Sequence, residues 1–395
     1  MATGTSGDLL DNRDKHAQSI FKHAILRQYL PRFIAMPGST ASGGRLVVLD
    51  GFAGRGRYPD GTPASAELIL RAIRSFRNSR DVSAVFVERK PDNFAELTVV
   101  VNEYAKQGLR VRSCPGQVED HLEVVVQQAA GLPLFLFLDP CGAGLPYDRL
   151  RDVLRGPRHA RRPQTEVLLN FSADLTRRAT GALNKGMLDE PIISRMDTTC
   201  GGDWWRETAL GTLRSPQGKN FEAAAHAVAQ EYAGRVSRDT SMTPVVIPVG
   251  RRLGQQPIYH LVFLTRSSVG LWEFADAVGR ARRAYLDHLG NLDGDNTPGQ
   301  QGLFGDAEDN DMEWLIKQEH DEAVGVIKAN LRALVRDRGD VKLVEHTRDV
   351  FGKAYGFAVE PAVTEAVKNL RAIGELVVKI NHGKLRNRTL GPPTP

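Results

Sequence analysis

Cysteine is scarce: three residues, at 114, 141 and 200, in a chain of 395. That is too few, too widely spaced, for a disulfide framework. Long apolar runs are missing as well. The longest, from Leu132 to Leu138, is strand-sized and far short of the roughly 20 residues that a membrane helix needs, so no membrane anchor is implied. The opening segment, Met1-Ala2-Thr3-Gly4-Thr5-Ser6-Gly7-Asp8, lacks the basic start and apolar middle of a secretory signal, and the expected compartment is the cytoplasm. No internal repeat stands out. Neither sign of charge prevails strongly, since the formal net charge is only +5, and so the location of the charges says more than their total.

The length suits one large domain and a smaller one. Apolar residues recur every three or four positions from Ala17 to Leu30, which predicts an amphipathic helix limited by Pro31. An α/β alternation follows. Strands are expected at Leu46–Leu49, Ala84–Val87, Leu109–Arg112 and Leu132–Leu138, with helices at Ala64–Phe76, Pro91–Gln107 and Val118–Ala130. Further strands are expected at Glu166–Asn170, Val245–Val249 and Tyr259–Thr265, with helices at Phe221–Val236 and Leu271–Leu289. Continuous apolar strands separated by helices predict a parallel sheet covered on both faces. The stretch Gly290–Asp311, rich in Gly, Asp, Asn and Gln, reads as a linker. After it, three helices and two strands joined by Asn381-His382-Gly383-Lys384 predict a winged-helix-like α+β unit. The expected domains are therefore 1–289, a linker at 290–311, and 312–395.

Arginine is concentrated in one place. Arg149, Arg151, Arg155, Arg158, Arg161 and Arg162 fall within fourteen residues that hold one acid, Asp152, with Asp148 just ahead of them. A second basic group is Lys379, Lys384, Arg386 and Arg388. Either group could face phosphates or simply be solvated surface. In a winged helix, Glu360–Ile373 would lie against nucleic acid while Arg386 and Arg388 touch its backbone. Winged helices also mediate protein contacts.

The segment with the clearest chemistry is Val47-Val48-Leu49-Asp50-Gly51-Phe52-Ala53-Gly54-Arg55-Gly56. A strand, a glycine-rich turn and a helix in that order let backbone approach a ligand closely, because Gly51, Gly54 and Gly56 remove blocking side chains. Glu88 ends the second strand, where a carboxylate is placed to accept two ribose hydroxyls. The turn departs from the Gly-x-Gly-x-x-Gly of dinucleotide sites, and Asp50 at the strand end would repel a pyrophosphate. Asp50 suits instead the sulfonium and ammonium charges of S-adenosylmethionine, with a turn cap as the other reading. The cofactor-binding set is then Asp50, Gly51, Phe52, Ala53, Gly54, Gly56 and Glu88, joined by Asp139, with Gln117 (and Glu119 near it) as candidates to touch adenine.

Four segments together resemble the three-Cys-motif partner proteins of bacteria: Lys22-His23-Ala24-Ile25-Leu26-Arg27-Gln28-Tyr29-Leu30, Asp50 to Tyr58, Leu138-Asp139-Pro140-Cys141-Gly142, and Ile258-Tyr259-His260-Leu261-Val262-Phe263. The resemblance spans roughly residues 10–290. It implies a Rossmann-like methyltransferase sheet, here followed by the winged-helix-like unit. The family's cysteines belong to a neighbouring partner protein, so Cys114, Cys141 and Cys200 need bind no metal, and no metal site is expected. Family members usually carry an aromatic where Cys141 stands.

Asp139, Pro140 and Cys141 form the expected catalytic turn. Amino-group methyltransferases commonly use Asp-Pro-Pro-aromatic there, so the pattern is incomplete. A cysteine directly after Asp-Pro is also the arrangement of RNA cytosine-5 methyltransferases, where a thiolate adds to the ring; a small buried cysteine is the plainer reading. His23, Tyr58 and Asn170 are substrate-side candidates, with simple packing the alternative for each. Trp204-Trp205 would stack a base or close a core. The function expected is S-adenosylmethionine-dependent methyl transfer to nucleic acid or a nucleotide-like substrate. The alternative is a non-catalytic partner that keeps the fold and binds a neighbouring three-Cys-motif protein or DNA.

Overall fold

The computed structural model describes residues 13–36, 42–215, 220–250, 256–295, 307–380 and 383–393. These residues fall into two compact units. One comprises Phe33–Arg266 with the start of the first helix up to Ser19; the other comprises Ile20–Arg32 with the chain from Ser267 onward.

The first unit is built on a seven-stranded sheet in the order β3-β2-β1-β4-β5-β7-β6. Its strands are β1 (Arg45–Asp50), β2 (Asp81–Glu88), β3 (Arg110–Pro115), β4 (Leu134–Leu138), β5 (Thr165–Ser172), β6 (Thr243–Gly250) and β7 (Pro257–Thr265). The first five are parallel, while β7 runs antiparallel to both β5 and β6. This is a Rossmann-like fold. Strand order reverses between β1 and β4, which opens a crevice at their carboxyl ends, where ligands of such sheets bind. The central strands are buried along their whole length: every residue from Leu46 to Asp50 and from Leu134 to Leu138 is shielded. Helices on both faces account for that.

Those helices are α2 (Ser65–Ser75), α3 (Pro91–Ala105), α4 (Val118–Gln128), α5 (Tyr147–Arg155), α6 (Ala173–Asn184), α7 (Pro191–Cys200), α8 (Trp204–Leu213) and α9 (Phe221–Thr240). The four helices α5 to α8 went unpredicted. Their apolar residues, such as Leu150, Leu154, Ile193, Met196 and Trp205, sit in short helices whose periodicity is too brief to stand out. The strands through β4 pair in parallel as expected; the later strand β7 runs antiparallel, following β6 with no intervening helix.

Helix α1 spans Arg13–Ala35 and carries Pro31 inside it. Proline was expected to limit this helix. Instead the chain stays helical past it, with Phe33 and Ile34 fully buried, so packing of the last turn outweighs the one backbone bond that proline forfeits. Nor is the helix one-sided. Every residue from Phe21 to Leu26 is buried, Lys22 and His23 included.

In the second unit, α10 (Ser268–Asp295) and α11 (Ala307–Arg338) extend into the segment expected as a linker, and residues 296–306 lie outside those described. The boundary between compact units falls at Arg266/Ser267, earlier than residue 289. Middle residues of α1 contribute to this unit's interior: the Phe21 and Tyr285 ring centroids are 5.7 Å apart, and Tyr29 meets Phe274 edge-on at 5.1 Å. Tyr29 Oη donates to the Gly270 carbonyl at 3.3 Å, and Arg32 pairs with Glu273 and Asp276 at 3.1 and 2.7 Å. Then follow β8 (Val341–Lys342), α12 (Thr347–Phe351), α13 (Glu360–Ala372), β9 (Val377–Ile380) and β10 (Thr389–Gly391). The small sheet is antiparallel in the order β8-β10-β9. The strand expected directly after Asn381-His382-Gly383-Lys384 begins only at Thr389, because Leu385–Asn387 is a 3₁₀ turn closed by Asn387 N–H to the Lys384 carbonyl. Of the expected hairpin turn, Asn381 and His382 lie outside the described residues.

Candidate active site

The carboxyl edge of the sheet brings together the strand ends of β1, β2 and β4. Asp50, the last residue of β1, is fully buried. Its Oδ2 accepts from Ser65 Oγ at 2.8 Å, and its Oδ1 from the Phe52 amide at 3.2 Å. Burial pushes its carboxyl up to about 7; the Ser65 and Phe52 bonds work against that rise, while the carboxylates of Asp139 and Glu88 add to it. Two more acids are thus within electrostatic reach of one already costly to charge.

Glu88 clamps the turn. Its Oε2 accepts from the Gly54 amide at 3.0 Å and its Oε1 from the Lys90 amide at 2.8 Å. Each oxygen keeps a second lone pair, so two further donors can still be accepted. Around this clamp the glycines serve different ends. A Cβ at Gly51 would come within 2.8 Å of Val118 Cγ2 and 2.9 Å of Leu138 Cδ2, so the strand end can pack against β4 and α4 only without a side chain. Gly54 adopts φ +62° and faces open space, which leaves its backbone approachable. Ala53 is buried, and its amide donates to the Val87 carbonyl at 2.9 Å; Phe52 packs against the sheet's core.

Beyond the turn, Arg57 braces Glu67 on α2 at 2.6 Å and Glu103 on α3 at 2.6 Å. Glu67 is almost fully buried and also accepts from Tyr104 Oη at 3.1 Å. Ser65 and this Arg57–Glu67–Tyr104 network were not foreseen from the sequence. Their one visible signal was an acid in the first turn of a helix directly after the glycines.

The β4 end carries Asp139, Pro140 and Cys141. Asn170, on β5, donates its Nδ2 to Asp139 Oδ1 at 2.8 Å, and its buried Oδ1 has no partner among the described residues. Cys141 is exposed, whereas Cys114 and Cys200 are buried. Tyr58 is buried, and its hydroxyl is pushed up to about 12 by that burial; Ser19 bonds it, and the charges of Asp139, Cys141 and Asp60 reach it. Tyr58, Asp139 and Cys141 therefore share one neighbourhood. Gln117 lies at the start of α4, its amide donating to Asp120 Oδ2 at 3.2 Å, and the preceding Gly116 amide donates to the Glu88 carbonyl at 3.1 Å. That bond ties the β3 end to the same edge. Glu119 is half-buried in the first turn of α4.

Other sequence candidates fall elsewhere. His23, buried, belongs to the second unit, as do Arg386 and Arg388. Arg386 is buried and pairs with Glu273, so its charge is already answered; the Nε atoms of Arg386 and Arg388 are buried without partners among the described residues. Trp205 is wholly buried and donates to Asp197 Oδ1 at 2.9 Å, which makes it a core residue, while Trp204 lies under the Arg235 guanidinium at 4.4 Å. No group of three or more potential metal ligands occurs among the described residues. None of their helices is long and apolar enough to cross a membrane.

No family model matches the chain, and no curated protein matches it. Solved structures do. The methyltransferase domain of a bacterial Hen1 protein, CtHen1-CN, is similar at 9% identity over 62% of this chain and 99% of that one, with a TM-score of 0.32. The SAH-bound methyltransferase PaMTH1 of Podospora anserina is similar at 14% identity over 56% and 70%, with a TM-score of 0.27. The small RNA methyltransferase HEN1 is similar at 8% identity over 60% and 26%, with a TM-score of 0.29.

Proposed function

We propose that this chain is an S-adenosylmethionine-dependent methyltransferase acting on nucleic acid or a nucleotide-like substrate. The observation that carries this reading is the gathering of Asp50, Glu88 and Asp139 round an open glycine turn, which favours a ligand that brings positive charge and hydroxyls together. S-adenosylmethionine supplies an already activated methyl group, so the protein's part is placement.

In this reading Glu88 takes the ribose hydroxyls with its remaining lone pairs, and Gly51 to Gly56 lie along the cofactor. Asp50 faces its cationic end, and Gln117 borders adenine. Asp139, held by Asn170, orients the acceptor, with the Pro140 carbonyl and Cys141 beside it. Tyr58 closes the same pocket. His23, Arg386 and Arg388 stay candidates for substrate contact. Residues 312–395, within the second unit, form a winged-helix-like part that meets nucleic acid or a three-Cys-motif partner protein, and the compartment is the cytoplasm. One feature favours a second reading, a partner protein that binds without transferring: Cys141 stands where the amino-methyltransferase turn has its second proline.

Calorimetric titration with S-adenosylmethionine tests the proposal. The native protein is expected to bind, and Glu88→Gln to bind about tenfold or more weakly, as befits a charged hydrogen-bond acceptor made neutral. Asp139→Ala should still bind cofactor while losing transfer to oligonucleotide. Absence of binding by the folded native protein would sink the methyltransferase reading.

A further inference from the structure

The arginine cluster noted in the sequence lies at the amino edge of the sheet, at the opposite end of β5 from Asn170. Five residues of strand separate Thr165 from Asn170, about 17 Å. Here α5 ends at Arg155 and a short loop leads into β5. The loop is held from within by Arg158, which is only 3% exposed. Its guanidinium donates to the carbonyls of Ala129 and Leu132, both at 2.8 Å, to that of Gln164 at 3.4 Å, and to Thr165 Oγ1 at 2.9 Å. Arg266 does the same beside it, donating to the carbonyls of Leu154, Arg158 and Thr240 at 2.9, 2.7 and 2.6 Å. Neither arginine meets a carboxylate. Burial first, then repulsion from Arg266, pulls Arg158 down to about 10.

On this stiffened base Arg155, Arg161 and Arg162 are exposed and make no ion pair among the described residues. The two acids of the stretch, Asp148 and Asp152, both close on Arg151, at 2.6 and 2.8 Å. Arg149, exposed and also unpaired, stands six residues back along α5, about 9 Å toward the carboxyl edge. Four exposed arginines of this stretch, Arg149, Arg155, Arg161 and Arg162, thus stand without a carboxylate partner among the described residues.

We infer that this corner is a docking surface for the phosphodiester backbone of a nucleic acid. Arginine forks match phosphate oxygens, and uncompensated charge held on a fixed loop loses little by ordering. No large apolar side chain is exposed between residues 148 and 163. A protein interface with an apolar core or an inserting membrane helix would need such anchors, and a phosphate backbone does not. The inference rests on the nucleic-acid half of the proposed function and not on its cofactor half.

The test is fluorescence anisotropy with a labelled single-stranded oligonucleotide of about 20 nucleotides, titrated between about 50 and 200 mM salt. Binding by the native protein is expected, with Arg155→Glu/Arg161→Glu/Arg162→Glu weaker by about tenfold or more and its salt slope reduced by about two, one step of roughly 0.7 for each phosphate no longer neutralised. Cofactor titration into the same variant should match the native protein, which shows that it is folded and separates this result from failure of the cofactor reading. Unchanged affinity and slope in the triple variant would overturn the inference. So would binding that is abolished only in Lys368→Glu/Lys384→Glu, or native protein that binds phosphatidylserine vesicles or polyglutamate but no oligonucleotide.

Discussion

Asp50→Asn should make the cofactor-free protein more stable at pH 8 while weakening its hold on S-adenosylmethionine about a hundredfold. Both effects have one cause. The Asp50 carboxyl is buried, and its pKa stands at about 7 instead of 3.8. A group raised in the folded state gives its full stabilisation below the unfolded value and loses it as pH rises through the folded one. Between about pH 4 and pH 7 that loss amounts to roughly 4 kcal/mol for the shift in question. Asparagine carries no charge to desolvate, though its amide must find an acceptor. A net gain of about 2 kcal/mol, or some 4 °C in Tm, is therefore expected at pH 8, with a flatter stability profile from pH 4 to 7. Cofactor affinity in the native protein should rise with pH up to about 7, because a cation binds the ionised carboxylate, and in the variant that rise should vanish. Thermal melts and calorimetry across this pH range check both; a native protein whose stability does not fall toward pH 8 would contradict the account.

Arg158→Met is expected to act in the opposite sense, lowering stability by about 3 kcal/mol and Tm by about 6 °C or more. Methionine keeps an apolar stem of similar reach but donates nothing to the carbonyls of Ala129, Leu132 and Gln164 or to Thr165 Oγ1. Relief from burying a cation works the other way, and its size is bounded by the fall of Arg158 only to about 10. Several buried acceptors left short of donors outweigh it. The loop from 156 to 164 should also gain hydrogen exchange, while the strands around Asp50 keep their protection. Arg158→Lys, which can reach only some of the acceptors, should fall between the two. An unchanged Tm in Arg158→Met would show that solvent replaces the guanidinium without cost.

The glycine turn and the acids at the ends of β1, β2 and β4 were legible in the sequence because each is a local event: an apolar run stops, and an unusual residue follows. Elements were legible where their pattern was long, as in α3, α9 and β4. Contacts that join distant segments were not. Ser65 could not be assigned to Asp50 until the first residue of α2 was placed, nor Tyr58 to Ser19, nor Asn170 to Asp139. Arg158 and Arg386 look like any surface arginine in the sequence; only burial distinguishes them, and burial depends on neighbours about thirty or more than a hundred positions away. The winged-helix-like reading of α13 and the basic turn rested on order of elements alone. In the structure the Glu360 amide donates to Asp276 Oδ1 at 2.7 Å and its side chain accepts from Trp272 Nε1 at 2.9 Å. The first turn of α13 is thus already engaged within its own unit, a fact that no periodicity could convey.

Because residues 20–32 of α1 share the interior of the second unit, with bonds that close over 241 residues from Tyr29 to Gly270, the chain passes between the two units three times. A fragment beginning after residue 35 would lack Phe21, Tyr29 and Arg32, and so would carry Tyr285, Phe274 and Asp276 without the groups they answer. Cutting the gene between codons 266 and 267 would likewise give one piece with a stray helix and another with a hole. The two units are distinct as bodies but not as stretches of sequence, and a change at Tyr29 is felt 241 positions later, at Gly270.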